Sequence, residues 1–174
     1  MDADVALRRA EPRDAPSLAV LAERTFRESF GARNSPENMD LHCNRYFGTD
    51  IQAREIAERG LATTLALVDR RLVGYSQLRL ARPHAGVVAE RPVELSRIYV
   101  EAAWQGRGVA RALMEDALRG AAKAGADCLW LGVWEHNPKA MAFYRKFGLA
   151  VVATQAFMLG QERQRDLVMS VKLG

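Results

Sequence analysis

Residues 93–148 read VELSRIYVEAAWQGRGVARALMEDALRGAAKAGADCLWLGVWEHNPKAMAFYRKFG. A short apolar strand ends at Val100. The glycine-bearing turn Gln105-Gly106-Arg107-Gly108-Val109-Ala110 then opens an amphipathic helix. That helix should run from Gly108 to Ala124, burying Val109, Leu113, Ala117, Leu118 and Ala121 at helical spacing, and Gly125 ends it. Cys128–Trp134 is a second apolar strand. Asn137 caps, and Pro138 begins, a further helix that carries Phe143 and Tyr144 and stops at Gly148.

The turn matters because backbone amides at a helix start attract a pyrophosphate. Small residues at Gly106, Gly108 and Ala110 let those amides approach it, while Arg107 and Arg111 add charge. No Gly-Lys-Ser/Thr follows, which excludes a Walker-type phosphate loop. The third glycine of a dinucleotide fingerprint is missing. A glycine loop followed one βα unit later by a tyrosine suggests a phosphate-bearing cosubstrate plus an acid, the equipment of acyl-CoA transfer.

Outward from this core, Val5–Arg9 reads as a strand. Asp14 should cap a helix with Leu18, Leu21, Ala22 and Phe26 on its apolar face. Residues 27–48 are rich in breakers, with a helical piece near Glu37–Tyr46. Thr49-x-x-Gln52 resembles a capping box for a helix over 50–59. The period then changes to alternation. Thr63–Val68 and Leu72–Leu80 are strands around Asp69-Arg70-Arg71, and Val151–Phe157 and Leu167–Leu173 close the chain. The order β-α-α-α-β-β-β-α-β-α-β-β describes one α/β domain over residues 1–174 with a mixed sheet.

Composition narrows the classes. With 49% hydrophobic and 26% charged residues, the chain should fold around its own core. No apolar run approaches about 18 residues, and the first residues lack a secretory h-region, so a cytoplasmic protein without a membrane span is expected. The net charge of +4 is mild and no Lys/Arg run appears, so no nucleic-acid partner is expected. Cys43 and Cys128 have no paired spacing, and His42, His84 and His136 are scattered, so no metal site is indicated.

The two motifs together resemble those of the GNAT superfamily of acetyl-CoA-dependent N-acetyltransferases. Gln105 to Ala110 is similar to its Q/R-x-x-G-x-G/A pyrophosphate loop, and Asn137 to Gly148 to its later CoA-side motif. The resemblance implies a mixed, splayed central sheet of about six to seven strands with helices on both faces. A bulge in the strand ending at Val100 would open it. It also implies acetyl-CoA as cosubstrate without metal. Backbone groups of Ile98, Tyr99 and Val100 would hold the pantetheine arm and acetyl carbonyl. Gln105, Gly106, Arg107, Gly108, Val109, Ala110, Arg111, Asn137 and Tyr144 complete the cofactor contacts. A narrower likeness, carried by Leu131-Gly132-Val133-Trp134-Glu135-x-Asn137, Phe157-x-Leu159-Gly160 and Asp166, is to the bacterial spermidine/spermine (PaiA-like) group. Trp134 and Phe157 read as packing residues.

Amine acylation needs deprotonation of an ammonium, stabilisation of the developing oxyanion and protonation of the departing thiolate. Tyr144 is the candidate acid, the Val100 N–H the oxyanion donor and Glu94 the base, acting through water, with Glu135 as runner-up. Cys128 begins an apolar strand without an assigned base, so direct transfer in a ternary complex is expected rather than a covalent route. The leading acceptor is a small primary amine, a polyamine first. Glu28, Glu37, Asp40 and Glu94 are the carboxylates that could form an acidic mouth. Amino acids, antibiotics and peptide N-termini are alternatives, and so is a non-catalytic acyl-CoA-binding regulatory module. A homodimer is compatible with this reading.

Overall fold

The computed structural model describes residues 1–174. Its elements follow the expected order. They are β1 (Ala6–Arg9), α1 (Ala15–Phe30), α2 (Pro36–Tyr46), α3 (Thr49–Ala57), β2 (Leu61–Val68), β3 (Arg71–Arg79), β4 (Pro92–Val100), α4 (Val109–Lys123), β5 (Cys128–Trp134), α5 (Pro138–Arg145), β6 (Ala150–Leu159) and β7 (Glu162–Lys172). The seven strands form one sheet in the order β1-β2-β3-β4-β5-β7-β6. Only β4 and β5 run parallel.

Several local expectations shift: α1 continues to Phe30, β7 begins at Glu162 rather than Leu167, and two helix starts differ. Asp14 precedes α1, but its carboxylate turns back to accept both guanidinium nitrogens of Arg8 at 2.7 Å, so it fastens β1 rather than capping α1. The cap of α3 is Gly48, not Thr49, and the Gln52 Oε1 accepts the Gly48 N–H at 2.8 Å. The tight β2–β3 turn has Asp69 and Arg70 at φ 48° and 65°, the left-handed pair that matches strand twist in a two-residue hairpin.

The sheet is splayed at its only parallel pair. β4 and β5 pair only through Pro92–Glu94 and Cys128–Trp130. Beyond Glu94 a bulge intervenes: Gln77 faces Arg97 while Leu78 faces Leu95, leaving Ser96 extra. A bulge adds a residue and bends its strand. It also resets which side chains share a face. Val93 and Leu95 lie in the core under α4 with Met114 and Ala117, whereas Val100 packs there with Val109 and Leu113. Tyr99 packs on the other face, against the α1–α2 core of Phe26, Phe47 and Tyr75. Were Ser96 an ordinary paired residue, strict alternation through it would send Arg97 and Tyr99 into the α4 core with Val93 and Leu95. No helix is long and apolar enough to cross a membrane.

Candidate active site

The glycine turn leaves free backbone amides at the start of α4. Gly108, at φ 85°, caps α4 in the left-handed conformation, which a side chain would strain. The first intrahelical bond in the helix start runs from the Ala112 N–H to the Gly108 carbonyl, so the amides of Val109, Ala110 and Arg111 precede the ladder. An anion already lies there. The Asp2 carboxylate is 3.4 Å from the Arg111 guanidinium and packs beside Gly108, and the Ala3 N–H donates to the Arg107 carbonyl at 2.9 Å. The Asp2 carboxylate thus lies beside the helix start and the Arg111 guanidinium. Arg107 itself stacks over Trp104, its guanidinium 5.3 Å from the ring centre. Gln105 ties the turn to both flanks: its amide donates to the Val100 carbonyl at 3.3 Å and accepts from Lys139 at 2.9 Å.

The edge of β4 supplies the next contacts. The Glu101 N–H donates to the Val73 carbonyl at 2.9 Å. Alternation along an antiparallel strand then turns the N–H groups of Ile98 and Val100 away from β3 and into the gap. Tyr99 presents its side chain on the α1 face, 6.0 Å from Tyr75 between ring centres. Burial pushes its phenol up to about 12, with Arg97 pulling against it and Asp166 adding to it.

From the α4 face comes Tyr144. Asn137 accepts the Ala140 N–H at 3.1 Å, so its side chain caps α5 and sets the helix that presents this tyrosine. Tyr144 packs beside Phe143 at the border of the core. Burial drives its phenol far above the usual range and the Tyr99 phenol adds to the rise, so it stays protonated.

Glu94 lies at the closed end of the splay, paired in register with Trp130. Its side chain is 18% exposed and 3.6 Å from the Arg82 guanidinium. Burial raises its carboxyl, opposed by Arg82, Arg79 and His84. At the open end lies a cleft of about 750 Å³, lined by Arg33, Trp134, Glu135, His136, Gln155, Arg163 and Arg165 among others. Glu135 is held by Arg165 at 3.2 Å and lies 3.6 Å from His136. Trp134 is a wall of this cleft as well as a packing residue, with Phe30 at 5.9 Å and the Arg33 guanidinium 5.9 Å over its ring. Phe157 packs in the α1–α2 core beside His42.

The four acidic residues named from sequence are not gathered into one mouth. Glu28 accepts the Ala102 N–H at 3.2 Å, Asp40 pairs with Arg27 at 2.9 Å, Glu94 faces Arg82, and Glu37 is exposed in the first turn of α2. Cys128 is buried and its thiol is pushed up by burial, the reverse of an activated nucleophile. No group of three or more His, Cys, Asp or Glu is placed to hold a metal.

Comparison with known proteins supplies the family. The model of the acetyltransferase (GNAT) family matches residues 19–149. An uncharacterised N-acetyltransferase of Lactobacillus delbrueckii subsp. lactis is 33% identical over 161 residues, covering 92% of this chain and 93% of that one. This chain belongs to the GNAT acetyltransferase family. The same GNAT fold is seen in the PaiA N-acetyltransferase of Thermoplasma acidophilum in complex with coenzyme A, at a TM-score of 0.79 and 19% identity over 98% of this chain and 99% of that one. It is also seen in YncA of Salmonella typhimurium, a putative acetyltransferase with acetyl-CoA. There the TM-score is 0.75 at 18% identity, over 98% of this chain and 95% of that one.

Several residues that shape this GNAT site were not singled out in the sequence. Glu101, 4% exposed, receives Arg24 and Arg71 and so anchors α1 and β3 to the end of β4. Arg97, freed to face α3 by the bulge, pairs with Glu55 at 2.8 Å. Lys139 reaches Gln105 from the first turn of α5; the only clue was its place one residue after the Asn137-Pro138 cap. Asp166, quoted in the sequence only as part of a likeness, is 7% exposed with no cationic partner.

Proposed function

We propose that this protein transfers the acetyl group of acetyl-CoA to a primary amine, directly, within a ternary complex. The reading is supported by two β4 amides turned away from β3 where β4 and β5 part, a helix start with free amides before α4, and a protonated phenol on α5. When bound, acetyl-CoA supplies an activated thioester. The amides of Val109, Ala110 and Arg111, with Arg107, Arg111 and Lys139, suit its pyrophosphate. The N–H groups of Ile98 and Val100 orient the pantetheine arm and meet the negative charge that develops on the acetyl oxygen, Val100 being the donor to that oxygen. Tyr144 Oη gives its proton to the sulfur. Glu94 carries the amine's proton away through water, a task for which its raised carboxyl is suited.

The 750 Å³ cleft at the open end of the splay is the proposed entrance for the acceptor. Polyamines lead from the sequence, and the fold shared with PaiA is in keeping with them. The cleft adds a specific reason to test a second class. Arg33 and Arg163 line it without a carboxylate partner, which suits an amine that also carries an anion, such as an amino acid or a peptide. The test is thiol release from acetyl-CoA across polyamines, amino acids, aminoglycosides and peptides. Accelerated release with at least one primary amine is expected. Tight acetyl-CoA binding with no release for any amine would favour a regulatory binding module instead.

A further inference from the structure

We infer that Asp166 is the first proton acceptor of the transfer, the carboxylate that meets the acceptor's ammonium inside the splay. The inference rests on the proposed amine acetylation. Asp166 pairs in register with Trp134 of β5 on one side and Gln155 of β6 on the other, so all three share the sheet face on which Phe30 of α1 meets Trp134. Its carboxylate reaches back over Gly132, where a Cβ would meet Asp166 Oδ2 at 3.1 Å and Gln155 Nε2 even closer. Gly132 therefore leaves the room that the carboxyl and amide occupy, in the part of β5 that has parted from β4.

The groups that act on Asp166 are Gln155 from β6, Glu135 from the end of β5 and Tyr99 from β4, and none is a cation. A buried carboxylate without a cation is completed by one that arrives. Burial pushes its carboxyl up to about 6, suited to taking a proton near neutral pH. Besides burial, the Asp166 carboxylate raises the Tyr99 phenol, and the Tyr99 phenol in turn raises that of Tyr144. In the step, an N–H bond breaks and an O–H bond forms on Asp166. The freed nitrogen pair bonds to the acetyl carbon, the carbon–sulfur bond breaks as the sulfur takes the Tyr144 proton, and a second N–H bond then breaks to return a proton to the Tyr144 oxygen, leaving a neutral amide and a free thiol. Glu94, farther along the face at the closed end, draws the Asp166 proton on through water.

The test compares Asp166→Asn with Glu94→Gln, using the best alkylamine from the thiol-release screen and its aminooxy analogue, which is neutral at pH 7. Calorimetry should show acetyl-CoA affinity unchanged within about twofold in Asp166→Asn. Its kcat/KM on the alkylamine should fall by roughly 100-fold or more and lose the acidic limb near pH 6, with a much smaller loss on the aminooxy compound. Glu94→Gln should keep that limb. Equal losses on both acceptors, or a limb retained in Asp166→Asn and abolished in Glu94→Gln, would overturn the assignment. If Asp166→Asn fails to fold, the wild type decides: an acidic limb on the alkylamine alone supports the assignment, and the same limb on both acceptors refutes it. A wild type that acetylates no amine would overturn the underlying reading before any variant is made.

Discussion

A carboxyl group buried without a cation opposes the fold that holds it, so Asp166 carries a stability signature independent of catalysis. Its folded pKa, about 6, lies above that of an unfolded aspartate. The favourable contribution is therefore fully present below about pH 4 and is lost as pH rises through 6. Asp166→Asn should be more stable than the wild type at pH 8, by roughly 1–3 kcal/mol, with the gain vanishing near pH 4. Denaturant unfolding at the two pH values checks this; a gain of the same size at both would mean the carboxyl is not desolvated as described. Tyr144 behaves differently. Its phenol is raised far from neutrality, so it is protonated throughout the working range. Tyr144→Phe keeps the ring in its packing and should lower kcat by roughly 100- to 10,000-fold, evenly from pH 6 to 9, with acetyl-CoA affinity little changed. Single-turnover rates show the effect, and an unchanged rate of chemistry would reject Tyr144 as the acid. Tyr144 was legible in the sequence because it belongs to a motif with a fixed offset. The environment of Asp166 was not, because it is made by partners on β5, β6 and β4 that only the sheet brings together.

At the scale of elements, the turn before α4 is the most testable. Asp2 lends its carboxylate to the same helix start that is proposed to hold a pyrophosphate, so the two compete. Asp2→Ala should tighten acetyl-CoA binding a few-fold, with the gain fading at high salt, whereas Gly108→Val should weaken it. Calorimetry at low and high ionic strength measures both; an unaltered affinity in a folded Gly108→Val protein would move the pyrophosphate elsewhere. The elements themselves were largely readable. Cys128–Trp134 was bounded exactly as the structure has it because an apolar run of that length lies between a glycine stop and a helix cap. Helix starts were less so. Asp14 and Gln52 are polar side chains with more than one backbone or side-chain partner in reach, and only the packed structure selects Arg8 for one and Gly48 for the other.

For the whole molecule, function follows from one sheet that fails to close. The parallel pair β4–β5 is joined over three residues on each strand and then parts, so strand amides that would be satisfied in a continuous sheet face a gap. The resemblance pointed to that splay, and the residues show its local cause: alternation in Val93–Val100 breaks at Ser96-Arg97. Charge was the least legible property. The excess of basic residues said nothing about where they gather, and of the acidic residues named as a mouth Glu28, Asp40 and Glu94 are bound singly while Glu37 is exposed. The arginines of the proposed acceptor cleft come from the turn after α1 and from β7, far apart in the chain. The central claim is direct acetyl transfer to an amine. Its most direct measurement is initial-rate kinetics with labelled acetyl-CoA and an amine panel, following free thiol and N-acetylated product together in wild type and Cys128→Ala. The account predicts equal amounts of thiol and product, rates whose dependence on both substrates gives intersecting lines, and near-normal activity without Cys128. Labelled acetyl recovered on the protein during turnover, or acetyl-CoA bound with no amine ever acetylated, would contradict it.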